Sequence, residues 1–174
     1  MSQLDLVTRH IRDVQDFPKP GILYKDITPM LANAEAFRAS ITLLKELVQD
    51  LKPDVIVAIE SRGFLFGAPL AIELGAGFVP VRKPGKLPYE KLSASYDLEY
   101  GKDTLEMHID AIPPGARVLI LDDVIATGGT AAAAIQLVEQ CGGKVVGTAF
   151  FVELTFLDGK SKLAPHEVRS VLKY

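Results

Sequence analysis

Four short apolar runs, at 55–59, 78–81, 118–121 and 145–152, show no alternation with polar residues, and helical patterns or a longer insertion separate them. A strand that is apolar on both faces has to be covered on both, which is what a parallel sheet with helices on either side provides. The helices are legible as well. Phe37, Ile41, Leu44, Val48 and Leu51 fall at spacings of three and four and stop before Pro53. Residues 64–74 read as a helix closed by Gly75, and 130–140 as one closed by Gly142 and Gly143. The fold class is therefore α/β, a central parallel sheet flanked by helices, with 163–174 adding an edge strand.

At 174 residues the chain reads as a single domain, 1–174. Residues 1–34 form an amino-terminal helix and an arm. Leu4, Val7, Ile11 and Val14 make one helical stripe, whereas Phe17-Pro18-Lys19-Pro20-Gly21 excludes regular structure and starts an irregular arm that runs through Asp26 to Pro29. Between Arg82 and Ile112 the pattern breaks into charged sequence bearing glycine and tyrosine, too long for a simple connection. Residues 82–112 are expected to form a flexible flap or hairpin, hinged at Gly85 and Gly101.

The 48% hydrophobic and 24% charged composition is that of an ordinary globular protein. A net charge of −3 offers no global attraction to nucleic acid or anionic lipid, so no nucleic-acid or membrane partner is expected, and any phosphate site must be built locally. The first residues mix Asp5, Arg9, Arg12 and Asp13 in a helical pattern, with no apolar secretion segment, and a cytoplasmic location is expected. Cys141 has neither a partner cysteine nor a neighbouring base, and reads as a structural thiol near a helix end. His10, His108 and His166 are scattered without metal-ligand spacing.

The segment with the most chemistry is Val118-Leu119-Ile120-Leu121-Asp122-Asp123-Val124-Ile125-Ala126-Thr127-Gly128-Gly129-Thr130: an apolar strand ending in paired acids, then a turn that opens a helix. Ligands of open α/β sheets sit at the carboxyl ends of the strands, where a helix start offers unpaired N–H groups and the positive end of its dipole. Gly128 and Gly129 let the backbone approach a phosphate, and Thr127 and Thr130 add hydroxyl donors. Two carboxylates beside an anion are unfavourable unless they bind hydroxyls or a cation, and a ribose 2′,3′-diol supplies two donors. The pair plus the loop reads as a ribose 5-phosphate site. The competing reading is a tight turn with solvated acids. A P-loop or dinucleotide fingerprint is absent.

The acidic pair followed by Ala126-Thr127-Gly128-Gly129-Thr130 resembles the signature with which type I phosphoribosyltransferases bind 5-phosphoribosyl-1-pyrophosphate (PRPP). Further segments narrow the resemblance to the adenine phosphoribosyltransferases: Phe17-Pro18-Lys19-Pro20-Gly21, Asp26-Ile27-Thr28-Pro29, Ser61-Arg62-Gly63-Phe64, Arg82-Lys83-Pro84-Gly85-Lys86-Leu87-Pro88 and Leu98-Glu99-Tyr100-Gly101. The resemblance implies a type I phosphoribosyltransferase fold and transfer of phosphoribose from PRPP to adenine, giving AMP and pyrophosphate, with Mg²⁺ as cofactor, in a homodimer.

Residue by residue, it implies that Ala126, Thr127, Gly128, Gly129 and Thr130 anchor the 5-phosphate, and that Asp122 and Asp123 hold the ribose hydroxyls or metal-bound waters. Mg²⁺ would be carried by PRPP, with no direct protein ligand. Glu60-Ser61-Arg62-Gly63 would be the pyrophosphate loop, often with a cis peptide before the Ser or Arg. Ser61 and Arg62 would hold the leaving pyrophosphate, joined by Arg82, Lys83 and Lys86 at the root of the flap. A basic residue of that stretch reaches the neighbouring subunit in related dimers, and solvated loop charge is the alternative for Lys86. Glu99 would assist proton movement at the purine, with Tyr100 beside it in the flap, unless Glu99 is simply a solvated acid. Leu23, Tyr24 and Lys25 would read adenine, with Lys25 a point charge where many relatives have the planar fork of arginine. A different base acceptor on the same fold, or a non-catalytic PRPP sensor, are the rival readings.

Overall fold

In the computed structural model, residues 2–97 and 102–174 are described, and the chain divides into two compact units, Met1–Glu46 and Leu47–Tyr174. In the first unit, helix α1 (Gln3–Arg9) is started by a reciprocal cap. The Ser2 hydroxyl accepts from the Asp5 amide and the Asp5 carboxylate accepts from the Ser2 amide, each at 3.1 Å. The stripe expected to continue through Ile11 and Val14 ends at Arg9 instead, and Val14 lies in strand β1 (Arg12–Gln15), antiparallel to β2 (Leu23–Asp26).

The arm is thus not irregular throughout. Arg12 sits opposite Asp26 and Asp13 opposite Lys25, so two pairs of opposite charge face each other in register, at 2.5 Å and 2.6 Å. Pairing of this kind outweighs the helical spacing of a few apolar residues. Asp16, at φ 58°, turns the chain back, and its carboxylate accepts from the Gly21 amide at 2.6 Å. Helix α2 (Thr28–Ala32) carries Pro29 in its first turn, where a missing N–H costs nothing. Helix α3 (Ala34–Val48) follows.

The second unit contains β3 (Val55–Ile59), α4 (Gly63–Leu74), β4 (Gly77–Val81), β5 (Lys91–Asp97), β6 (Lys102–His108), β7 (Arg117–Ile125), α5 (Gly129–Gln140), β8 (Lys144–Glu153) and β9 (Val168–Lys173). The sheet order is β4-β3-β7-β8-β9 with every pairing parallel, and β9 is the edge strand expected from the tail. β5 and β6 form a separate antiparallel hairpin within 82–112, tied to the end of β4 by reciprocal backbone bonds between Arg82 and Glu106 at 2.9 and 2.8 Å.

Alternate residues of the central strands serve two layers. Val57 and Ile59 of β3 and Val118 and Ile120 of β7 join one apolar cluster with Ala134 and Leu137 of α5 and Leu105 and Met107 of the hairpin. The intervening Ala58 and Leu121 face α4 at Gly67, where an added Cβ would lie only 2.6 Å from the Ala58 Cβ. A Gly67→Val variant is accordingly expected to lose about 2–3 kcal/mol, the scale of an overpacked core, read as a lower denaturation midpoint with unchanged slope. Wild-type stability in that variant would show that α4 backs away from β3 at no cost.

One boundary differs from the sequence expectation in a way that matters. β7 does not end before the acids: it runs through them to Ile125, with Asp122 opposite Phe150, Val124 opposite Val152 and Ile125 opposite Glu153 on β8. The two acids interrupt the apolar run, but the backbone ladder continues past them to Ile125, which is itself buried. Asp122 and Asp123 are therefore held on rigid strand backbone.

Candidate active site

The site grows from two crossover points at the carboxyl end of the sheet. At the first, β3 gives way to α4 through Glu60, Ser61 and Arg62, and the Glu60–Ser61 peptide is cis, as the resemblance implied. Arg62 occupies the N-cap position of α4. Its Nε lies 2.6 Å from Oδ2 of Asp123, a side chain only 6% exposed, while Arg62 itself is 46% exposed. The contact is one of charge, since Oδ2 is buried and accepts no aligned hydrogen bond.

At the second crossover, β7 enters α5 through the 126–130 turn. Gly128, at φ 80°, is the N-cap of α5, and among the described residues no side chain caps that helix end. A left-handed backbone there is what glycine permits, and glycine itself brings no side chain to cap the first amides of the twelve-residue helix. A cleft of about 340 Å³ opens over this turn, lined by Ala126, Thr127, Gly128 and Thr130 together with Asp122 and Val124. A more open cavity of about 700 Å³ is lined by Glu60, Ser61, Arg62, Lys83, Tyr96, Asp122, Asp123 and Thr130. Asp122 and Thr130 belong to both walls, so the two spaces adjoin.

The acids at that junction are not ordinary carboxylates. Burial pushes the Asp122 carboxyl well up, the charge of Asp123 adds to it, and the hydrogen bond from the Asp123 amide at 2.9 Å only partly opposes it. Burial also raises Asp123, against the pull of the Arg62 charge. A junction lined by two such carboxyls favours a ligand that brings hydroxyl donors or a cation.

The basic residues of the flap root divide. Lys83 lines the open cavity while pairing with Asp103 and donating to the Tyr96 hydroxyl at 3.0 Å. Arg82 and Lys86 are instead gathered on Glu60, Arg82 at 3.3 Å and Lys86 in a closer ion pair, and the Lys83 amide donates to the same carboxylate at 2.9 Å. Burial disfavours the Glu60 charge, but these donors outweigh it and hold its pKa down to about 2. In the sequence, Glu60 stands out only as part of the 60–63 loop. Its pairing role had no local signal, because its partners lie at 82, 83 and 86. Tyr96 and Asp103 were missed for a similar reason: they are cross-strand partners in the hairpin, visible only once its register is known.

Of the expected site residues, the structure brings Ser61, Arg62, Lys83, Asp122, Asp123, Ala126, Thr127, Gly128 and Thr130 around adjoining spaces, whereas Gly129, the first residue of α5, is buried and lines neither of them. Leu23, Tyr24 and Lys25 form β2 of the first unit, where the Tyr24 ring meets Phe17 edge-on at 5.2 Å and Lys25 pairs with Asp13. Glu99 and Tyr100, with the proposed hinge Gly101, lie outside the described residues.

Comparison with known proteins agrees with this geometry. The model of the phosphoribosyl transferase domain family matches residues 27–171. The adenine phosphoribosyltransferase of Carboxydothermus hydrogenoformans is 57% identical over 166 residues, covering 95% of this chain and 98% of that one. The chain belongs to the adenine phosphoribosyltransferase family. Its fold is the type I phosphoribosyltransferase fold. The crystal structure of the family member from Thermoanaerobacter pseudethanolicus superposes with a TM-score of 0.95 at 55% identity, covering 98% of this chain and 99% of that one. The Saccharomyces cerevisiae member, solved with D-2,5-dideoxy-2,5-imino-altritol 1,6-bisphosphate and adenine, superposes with a TM-score of 0.91 at 45% identity, covering 97% and 98%. In that yeast relative the fold accommodates a ring carrying two phosphates together with the base.

Proposed function

We propose that this enzyme transfers the 5-phosphoribosyl group of PRPP to N9 of adenine, giving AMP and pyrophosphate in purine salvage. The observation that carries the reading is the pair of adjoining spaces with Asp122 and Thr130 in their common wall. PRPP has a phosphate at one end, a pyrophosphate at the other and a ribose diol between them, and the sequence of anion cradle, paired acids and arginine matches that order.

In this reading Ala126, Thr127, Gly128, Gly129 and Thr130 anchor the 5-phosphate, and Asp122 and Asp123 orient the ribose through its hydroxyls. Ser61, Arg62 and Lys83 hold the pyrophosphate, and Arg82 and Lys86 join them by leaving Glu60 when a polyanion competes for their charge. The C1–O bond lengthens first, with positive charge building on the ribose and negative charge on the leaving group. Arg62 stabilises the latter, since a guanidinium keeps its charge and binds phosphate oxygens in pairs. Leu23, Tyr24 and Lys25 read the base, Glu99 assists its proton, and the flap with Tyr100 excludes water from a cation-like centre that water would otherwise capture.

Mg²⁺, bound to PRPP, would neutralise pyrophosphate charge as the bond breaks. The residues fit such a carried ion, because Asp122 and Asp123 line the same space as Arg62 and Lys83 and their carboxylates would accept from its waters. A homodimer and a cytoplasmic location belong to the same reading.

The test is to incubate the purified protein with PRPP, Mg²⁺ and, in turn, adenine, hypoxanthine, guanine and orotate, and to follow nucleotide by chromatography. AMP from adenine, with the other bases at least about 10²-fold slower, is the expected result. Preference for a 6-oxo base or orotate would point to a different acceptor. Binding of PRPP without turnover of any base would point to a sensor.

A further inference from the structure

We infer that Gly159 is a positioning residue for PRPP, setting the place of the phosphate cradle from behind; the inference rests on the phosphate reading of the 126–130 turn. Gly159 opens a short 3-10 segment (Gly159–Leu163) far along the chain from the cradle, and it is buried. A Cβ added to it would lie 2.2 Å from the Ala126 carbonyl oxygen and 2.8 Å from the Gly128 nitrogen, against 3.4 Å or more for ordinary contact. The approach is mutual, because a Cβ on Gly128 would lie 2.4 Å from the Gly159 carbonyl oxygen. Backbone therefore rests on backbone, and the 126–128 turn is pressed between the ligand cleft and residue 159, which does not itself line the cleft.

The support behind Gly159 is fixed. Leu163, at the other end of the short segment, is 1% exposed and belongs to the apolar cluster that also holds Ala131, Ala134 and Ile135 of α5. On the near side, the Leu154 amide donates to the Ile125 carbonyl at 3.0 Å, tying the segment's approach to the end of β7. Between them Asp158 turns at φ 49°, and its two carboxylate oxygens accept from the Ser161 hydroxyl, each at 2.7 Å. The segment is thus anchored to the same helix and strand that the cradle connects. A side chain at 159 has nowhere to go except into Ala126 and Gly128, moving the cradle amides relative to Asp122.

Such a displacement falls on one substrate. Donors that must sit about 3 Å from phosphate oxygens lose much of their effect when moved by an ångström, whereas adenine recognition in the proposed reading lies on another segment. Gly159→Ala is expected to raise KM for PRPP by about tenfold or more while KM for adenine stays within about twofold of wild type. Binding of ribose 5-phosphate, measured by calorimetry, should weaken in parallel. Ser161→Ala, an exposed change that frees the Asp158 turn without adding an atom near the cradle, is expected to raise KM for PRPP by about threefold.

The inference is overturned if folded Gly159→Ala keeps wild-type KM for PRPP and wild-type ribose 5-phosphate affinity, or if both substrates' KM values rise equally. Should Gly159→Ala fail to fold, Ser161→Ala decides: a selective rise supports the inference, and an unchanged KM for PRPP overturns it. Failure of the functional reading looks different, because wild type would then form no AMP whatever residue 159 is.

Discussion

Arg62→Ala is expected to lower turnover with PRPP by about 10²-fold or more, the scale of one lost charge contact made as the leaving group departs. The residue has two functions that this substitution removes together. It is the exposed cation at the start of α4, facing the open cavity, and it is the counter-charge over the buried Asp123. Without the guanidinium, the largest influence opposing burial is gone, and the Asp123 carboxyl, already pushed up, rises further. Arg62→Lys separates the two effects. It keeps a charge near Asp123 but replaces the planar fork by a point, so it should restore folding stability more fully than turnover. Steady-state turnover at saturating adenine checks both variants, and wild-type turnover in Arg62→Ala would remove Arg62 from the reaction.

The doublet Asp122→Asn with Asp123→Asn is expected to lower activity by about 10³-fold or more while leaving the protein folded, because in the proposed reading both acids serve the ligand. The sign of the stability effect follows from the titration of the pair. Both carboxyls are raised in the folded protein, chiefly by burial, so the folded state holds their protons more tightly than the unfolded state does. Stability from these groups is then greatest at low pH and falls as pH rises from the unfolded value near 3.8 through the raised folded values. At neutral pH the wild type carries that penalty, and the asparagines lift it. The doublet should melt at or above the wild-type temperature at pH 7, with the difference shrinking toward pH 4. An inactive variant that is no less stable assigns the acids to chemistry, whereas near-normal turnover would count against their ribose role.

How much of this was legible in the chain depends on whether the determining contacts are local. The parallel sheet, α4 closed by Gly75, α5 and the turn that joins β7 to it could be read because apolar runs, glycine stops and a strand-to-helix junction are contiguous in sequence. The β1–β2 hairpin was hidden because its evidence is a register, Arg12 with Asp26 and Asp13 with Lys25, whereas Ile11 and Val14 keep helical spacing with Leu4 and Val7. The true end of β7 was hidden because two acids interrupt the apolar run, whereas the ladder carries on past Asp122 and Asp123 to the buried Ile125. The division of the flap-root cations was hidden for the plainest reason. Nothing near Lys86 in sequence indicates that Glu60 holds it, and nothing near Gly159 indicates that it rests on Gly128.

The most direct test of the account is a crystal structure of the protein with AMP. The 5′-phosphate should lie in the cleft over 126–130, bonded to the first amides of α5 and to the Thr127 and Thr130 hydroxyls, with the ribose diol on Asp122 and Asp123. A nucleotide bound elsewhere, with the turn between β7 and α5 making no contact with phosphate, would contradict it.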